Sequence, residues 1–171
     1  MIKVDGIGIL RALEPSDLPW LYALENEEEL WHLGVSKEPW SKHVLEQYIS
    51  NQPGNLLRDG QLRMVLEIQG QLHGAVDLYD YDPFTRKAGI GIALDAESRG
   101  KGIAKPVAER FIQYAMGTLG LSMVYAVVPV DNEPSNRLFT SLAFRASGSL
   151  KQWLLKDGAH VDATIYQRLH S

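Results

Sequence analysis

Apolar residues recur at two different periods along this chain, and the changes of period mark out its elements. Ile7 to Ala12 predicts a first strand. Pro15-Ser16-Asp17 then opens a helix carrying Trp20, Leu21 and Leu24, with Ser16 as the expected cap. Glu25 and Glu27 to Glu29 continue that helix towards Trp31. A loop with Gly34, Pro39 and Trp40 leads to a second helix, from about Ser41 to Asn51, and Pro53 to Gly60 reads as loop. Leu62 to Ile68 and Leu72 to Tyr79 predict two strands joined through Gln69-Gly70. In the second of these, Leu72, Gly74, Val76 and Leu78 share one face, while His73, Ala75, Asp77 and Tyr79 share the other.

A third strand, Thr85 to Leu94, runs into a glycine-rich turn, and Ile103 to Leu119 has the apolar period of a long helix. Met123 to Val128 is apolar on both faces, as a central strand requires. Asp131-Asn132 with Pro134 starts a short helix ending near Ala143. Leu150 to Lys156 and His160 to Leu169 flank Asp157-Gly158, a hairpin signal. The order predicts an α/β or α+β fold, a mixed and largely antiparallel sheet flanked by helices with a C-terminal β-hairpin. With no repeat or linker, one domain over residues 1–171 is expected.

The turn Arg99-Gly100-Lys101-Gly102-Ile103-Ala104 carries the first chemical signal. A glycine turn between strand and helix leaves backbone N–H groups directed outward at the positive end of the helix dipole, which suits a phosphate. Arg99 and Lys101 add matching charge. The spacing fits neither a P-loop nor a Rossmann turn. It fits [QR]-x-x-G-x-[GA], with Arg99, Gly102 and Ala104 at the fixed positions. Gly89 and Gly91, on one face of the preceding strand, either admit a ligand closely or mark a bulge packed against protein.

Composition narrows the classes. A net charge of -4 argues against a general nucleic-acid binder. No apolar run approaches the ~20 residues that span a bilayer, and Met1-Ile2-Lys3-Val4-Asp5 has no signal-peptide core. The chain has no cysteine, hence no disulfide framework, Cys-based zinc site or Cys nucleophile. His32, His43, His73, His160 and His170 lack ligand spacing, so no metal is expected. A cytoplasmic location is the expectation.

The order of elements, the Arg99–Ala104 turn, and Asn132-Glu133-Pro134-Ser135-Asn136-Arg137-Leu138-Phe139 ending in Leu142-Ala143-Phe144 resemble a GCN5-related N-acetyltransferase (GNAT). Leu10-Arg11-Ala12-Leu13-Glu14, Gly74-Ala75-Val76-Asp77-Leu78 and Ile165-Tyr166 are similar to the branch holding spermidine and ribosomal-protein N-terminal acetyltransferases. The resemblance implies acetyl-CoA as co-substrate. Backbone groups of Ile92, Ala93 and Leu94 would hold its pantetheine and acetyl carbonyl, and Arg99, Gly100, Lys101, Gly102, Ile103, Ala104 and Lys105 its pyrophosphate. Asn132, Ser135 and Asn136 would meet its far side.

Acetyl transfer requires a neutral amine. At pH 7 a lysine-like amine of pKa ~10.4 costs about 4.6 kcal/mol to deprotonate, against ~1 kcal/mol for an α-amino group. Asp77 matches the position where the spermidine branch carries a glutamate; one methylene shorter, it would act as base through a water. Phe139 departs from the family pattern, since many members have there a tyrosine that protonates the leaving thiolate. The resemblance then implies Ser135 as donor. Trp31 and His32, with Asp77 and Tyr79, are the candidate acceptor contacts, and Glu27 to Glu29 would draw in a polyamine. Three readings follow: acetylation of a small amine or polyamine by direct attack in a ternary complex, acetylation of a protein N-terminus, or an acyl-CoA-binding sensor without catalysis. Pairing of edge strands between chains makes a homodimer the expected assembly.

Overall fold

Among the described residues, eight strands form a single mixed sheet with helices on both faces. The computed structural model describes residues 1–28, 38–51 and 55–170. In chain order the elements are β1 (Ile2–Val4), β2 (Gly8–Arg11), a 3-10 turn (Pro15–Asp17), α1 (Leu18–Glu25), α2 (Lys42–Ser50), α3 (Leu56–Asp59), β3 (Leu62–Ile68), β4 (Gln71–Asp82), β5 (Lys87–Leu94), α4 (Ala104–Gly117), β6 (Met123–Pro129), α5 (Glu133–Ser141), β7 (Arg145–Lys156) and β8 (Ala159–Leu169). The strand order is β1-β2-β3-β4-β5-β6-β8-β7. Among the described residues only β5 and β6 run parallel, and α4 makes the crossover that such a pair needs. The mixed, mainly antiparallel sheet and its closing hairpin are those read from the sequence.

Each face has its own core. Val107, Ala108, Phe111, Ile112 and Ala115 recur at helical spacing on α4 and are all buried. They pack with Phe139 of α5 against Val76, Leu78, Ile90, Val124 and Ala126. On the opposite face, Leu21 and Leu24 of α1 and Leu45 and Ile49 of α2 cover Val65 and Ala75. Arg168 joins three elements on the first side: it bonds Glu109 at 2.6 and 2.9 Å and the Leu142 carbonyl at 2.9 Å.

Several sequence expectations are corrected. Ser16 caps nothing; Glu14 and Asp17 form a reciprocal capping box, and Asp17 is fixed by Arg11 at 2.7 and 3.0 Å. The loop expected over Pro53 to Gly60 contains α3, whose Asn55 side chain accepts from Leu57 N–H and which stops at Gly60. β1, too short to show a period, was not expected. Leu72 does not share the face of Val76. A bulge where Leu66 and Glu67 oppose Gly74 and Leu72 inserts His73, which turns Leu72 to the α1/α2 side. α1 ends at Glu25, and Glu29, Trp31 and His32 lie outside the described residues.

Candidate active site

β5 and β6 pair only through Lys87–Met123, Ala88–Val124 and Gly89–Tyr125. The rest of each strand keeps its other neighbour, β4 or β8, so a cleft opens between them. Its polar lining follows from the ladder phase. Asp95 N–H donates to the His73 carbonyl at 3.0 Å, one step past the Gly74–Leu94 pair. Bonded and non-bonded pairs alternate in an antiparallel ladder, so Gly91 and Ala93 turn their backbone to β4 while Ile92 and Leu94 turn theirs into the cleft. The Ala93 carbonyl accordingly lies 2.5 Å from where a Gly74 Cβ would stand. Of the three residues whose backbone the resemblance assigns to the co-substrate, Ile92 and Leu94 turn theirs towards the cleft and Ala93 turns its own towards β4. The Leu94 carbonyl also accepts from Arg99 Nε at 2.9 Å.

Beyond β5, Ser98 N–H bonds the Asp95 carboxylate at 2.8 Å, and Ser98 Oγ meets His73 Nδ1 at 2.9 Å. This fixes the approach to the glycine turn. Gly100 and Gly102 have φ of 73° and 77°, a left-handed backbone that glycine adopts without penalty. Nothing lies within 4 Å of a Cβ added at either, so conformation rather than crowding selects glycine. α4 then begins at Ala104 with no side-chain cap, leaving the Ala104 and Lys105 N–H groups to an outside acceptor. Pro106 sits in the first turn, where a missing N–H removes no helical bond. Lys101 and Lys105 are exposed beside this terminus. Arg99 Nη2 donates to Glu27 at 2.8 Å.

The α1/α2 face of the sheet carries two further groups. Arg63 and Asp77 are register partners, bonded at 2.6 Å through Nε and 3.4 Å through Nη2. Arg63 Nη1 bonds Glu25 of α1, and the guanidinium stacks over Tyr48 of α2, 5.7 Å from its centroid. Burial opposes the Arg63 charge, yet Asp77 and Glu25 hold its pKa above the usual arginine range. Asp77 stands opposite Gly91, at the level where the cleft opens.

One step towards the ladder's end, the Tyr79 ring lies over Gly89; a Cβ there would come within 2.2 Å of it. The choice left open for Gly89 is settled as packing against protein. Tyr79 meets Tyr125 edge-on, centroids 6.1 Å apart, and its hydroxyl oxygen is within reach of the Val127 N–H. Burial, with the nearby charges of Asp80 and Asp77 and with Tyr125, pushes the Tyr79 phenol up to about 12. Asp80 follows with φ of 50°, breaking the ladder. Sequence reading named Tyr79 but missed its tie to Gly89, which only the strand register reveals.

Across the cleft, the Asn132 side chain caps α5 by accepting from Ser135 N–H at 3.2 Å. Asn136 donates to the Pro129 and Asn132 carbonyls at 3.0 and 2.8 Å and accepts from the Tyr166 hydroxyl at 2.8 Å. Its amide therefore locks α5 to β6 and β8 rather than standing ready for a ligand. Ser135 is half-buried, its hydroxyl without a partner among the described residues. Phe139 is buried, edge-on to Phe144 at 5.1 Å and stacked with Tyr166 at 6.4 Å. No group of three or more His, Cys, Asp or Glu able to hold a metal occurs among the described residues.

A parallel pair parting beside an uncapped helix N-terminus offers an elongated, phosphate-bearing molecule a seat between two strands. The chain belongs to the GNAT family, whose acetyltransferase domain model matches residues 9–145, and is an acetyl-CoA-dependent N-acetyltransferase. It is 30% identical to the putative ribosomal N-acetyltransferase YdaF of Bacillus subtilis over 98% of this chain and 93% of that one. It is 26% identical to spermidine N(1)-acetyltransferase of Escherichia coli K12, over 90% of this chain and 81% of that protein. The Vibrio cholerae spermidine N-acetyltransferase in complex with CoA and spermine superposes with a TM-score of 0.86 at 26% identity, covering 94% of each chain.

Proposed function

We propose that the protein moves the acetyl group of acetyl-CoA to a primary amine by direct attack in a ternary complex. The observation that carries this reading is the cleft itself. Outward backbone groups of Ile92 and Leu94 lead, along one line, to the left-handed Gly100–Gly102 turn and the uncapped start of α4. The residues fit the co-substrate: peptide groups for pantetheine amides, then N–H donors with Lys101 and Lys105 for the pyrophosphate. The neutral amine attacks the thioester carbon, backbone N–H groups facing the cleft stabilise the oxyanion, and the C–S bond breaks with its electron pair going to sulfur. Asp77 takes the amine proton through a water, and Arg63 fixes its orientation. Ser135 supplies the proton that Phe139 cannot, and Asn136 contributes by holding α5 in place.

Two acceptor classes compete. The likeness to spermidine N-acetyltransferases favours a small amine or polyamine, with Asp77 as base. The unpartnered Ser135 hydroxyl, with Phe139 beside it, favours a protein N-terminus, as does the likeness to YdaF. The pairing of Glu25 and Asp77 with Arg63, and of Glu27 with Arg99, lowers the negative charge available to a polycation. The test is release of free CoA thiol from acetyl-CoA against spermidine, spermine, lysine and peptides with unblocked N-termini. Turnover on spermidine but not peptides establishes the first class. Turnover on peptides alone establishes the second and makes Ser135→Ala the next variant. Tight CoA binding with no turnover on any acceptor replaces both with a sensor.

A further inference from the structure

Tyr79 occupies an unusual place in the cleft. It starts on β4, crosses β5 over the bare Cα of Gly89, and meets Tyr125 of β6 edge-on. Val130 N–H donates to the Asp162 carbonyl and His170 N–H to the Ser122 carbonyl, which sets even-numbered β6 residues towards β8 and odd-numbered ones towards β5. Tyr125 makes the last β5 pair. The next odd donor, Val127 N–H, has left the ladder and lies within reach of the Tyr79 oxygen. One phenol thus spans three strands at the point where two of them part. Tyr125 braces it edge-on, and no side chain at Gly89 or Gly91 competes for the space.

We infer that the Tyr79 ring is the end wall of the acyl pocket and restricts the donor to a two-carbon acyl group. The inference rests on the cleft being the acyl-CoA site. A chain lying along Ile92 towards the ladder's end brings its thioester to the place where β5 and β6 meet, so groups beyond the carbonyl carbon point at the phenol. A methyl group stops short of the ring; a propyl chain must displace it. The ring cannot retreat through Gly89, whose backbone it already touches. Each methylene accepted or refused by an apolar pocket is worth about 10–200-fold.

The experiment is calorimetric titration of CoA, acetyl-CoA, propionyl-CoA and butyryl-CoA into the whole protein without an amine, so that the acceptor's identity does not enter. Wild type is expected to bind butyryl-CoA at least 10-fold more weakly than acetyl-CoA. Tyr79→Val, which keeps a strand-forming residue but removes the ring, is expected to erase that difference. Tyr79→Phe is expected to keep it, because the wall is the ring and not the hydroxyl. Gly89→Ala gives a second route, since its Cβ must push the ring aside without deleting it, and is expected to behave as Tyr79→Val does. Equal affinity of wild type for acetyl- and butyryl-CoA overturns the inference without any variant. So does a Tyr79→Val protein that binds CoA normally yet still discriminates. Failure of wild type to bind CoA itself would instead overturn the acyl-CoA reading of the cleft.

Discussion

Asp77 and Gly102 are read differently once their neighbours are known. From sequence, Asp77 is a carboxylate on the polar face of a strand. In the fold it is one end of a Glu25–Arg63–Asp77 chain that crosses from α1 to the cleft. Asp77→Asn is expected to lower turnover of a lysine-like amine at least 10-fold more than that of an α-amine, whose deprotonation is easier by about 3–4 kcal/mol. Parallel kcat/KM measurements on the two amines check this, and equal losses would remove Asp77 as the base. Gly102 faces open space, so its substitution acts through the backbone. Gly102→Val forces a β-branched residue to a φ of 77°, at a local cost of about 1–2 kcal/mol. CoA affinity should fall about 10-fold, and Tm by a few degrees as the strain is carried by the folded state; unchanged affinity would argue against the turn as the phosphate site.

At the scale of elements, the sequence showed what periodicity and punctuation can encode. The ends of β3, the start of α2 at Ser41 and the Asp157-Gly158 hairpin lay in local residue choice. What it hid depends on pairing. The His73 bulge, the early parting of β5 from β6, and the dependence of Gly89 on a ring ten positions earlier need a register that no local pattern specifies. Capping was misread because Glu14 and Asp17 close a reciprocal box that Ser16 does not join. Arg168 was also silent in the sequence, although it ties β8 to α4 and to the end of α5. Arg168→Ala leaves Glu109 and the Leu142 carbonyl without that partner and is expected to cost about 1–3 kcal/mol, roughly 3–8 °C in Tm. A thermal melt checks it, and a shift under 1 °C would count against the tie.

For the molecule as a whole, the charged groups define a window of stability. The Arg168 hydrogen bonds hold Glu109 below its usual range. Burial alone would raise Asp17, but bonds from Arg11 and the Glu14 N–H bring it below its usual value. Both contribute stability that is present above the ordinary carboxylate range and lost as pH falls through their lowered native values. Tyr79 has the opposite sign: raised to about 12, it contributes stability that is full below the unfolded value near 10 and disappears as pH climbs towards 12. Melting temperature is therefore expected to plateau at neutral pH and decline on both sides. Arg168→Ala should flatten the acid limb and Tyr79→Phe the alkaline one. Arg99 has a consequence for kinetics. The same guanidinium holds the Leu94 carbonyl at the cleft edge and Glu27 just past α1, so the proposed donor site and α1 share one anchor. An ordered addition is the expected outcome, with acetyl-CoA binding before the amine and CoA leaving last. Product inhibition by CoA should be competitive with acetyl-CoA and noncompetitive with the amine, and Arg99→Ala should convert that pattern towards random addition.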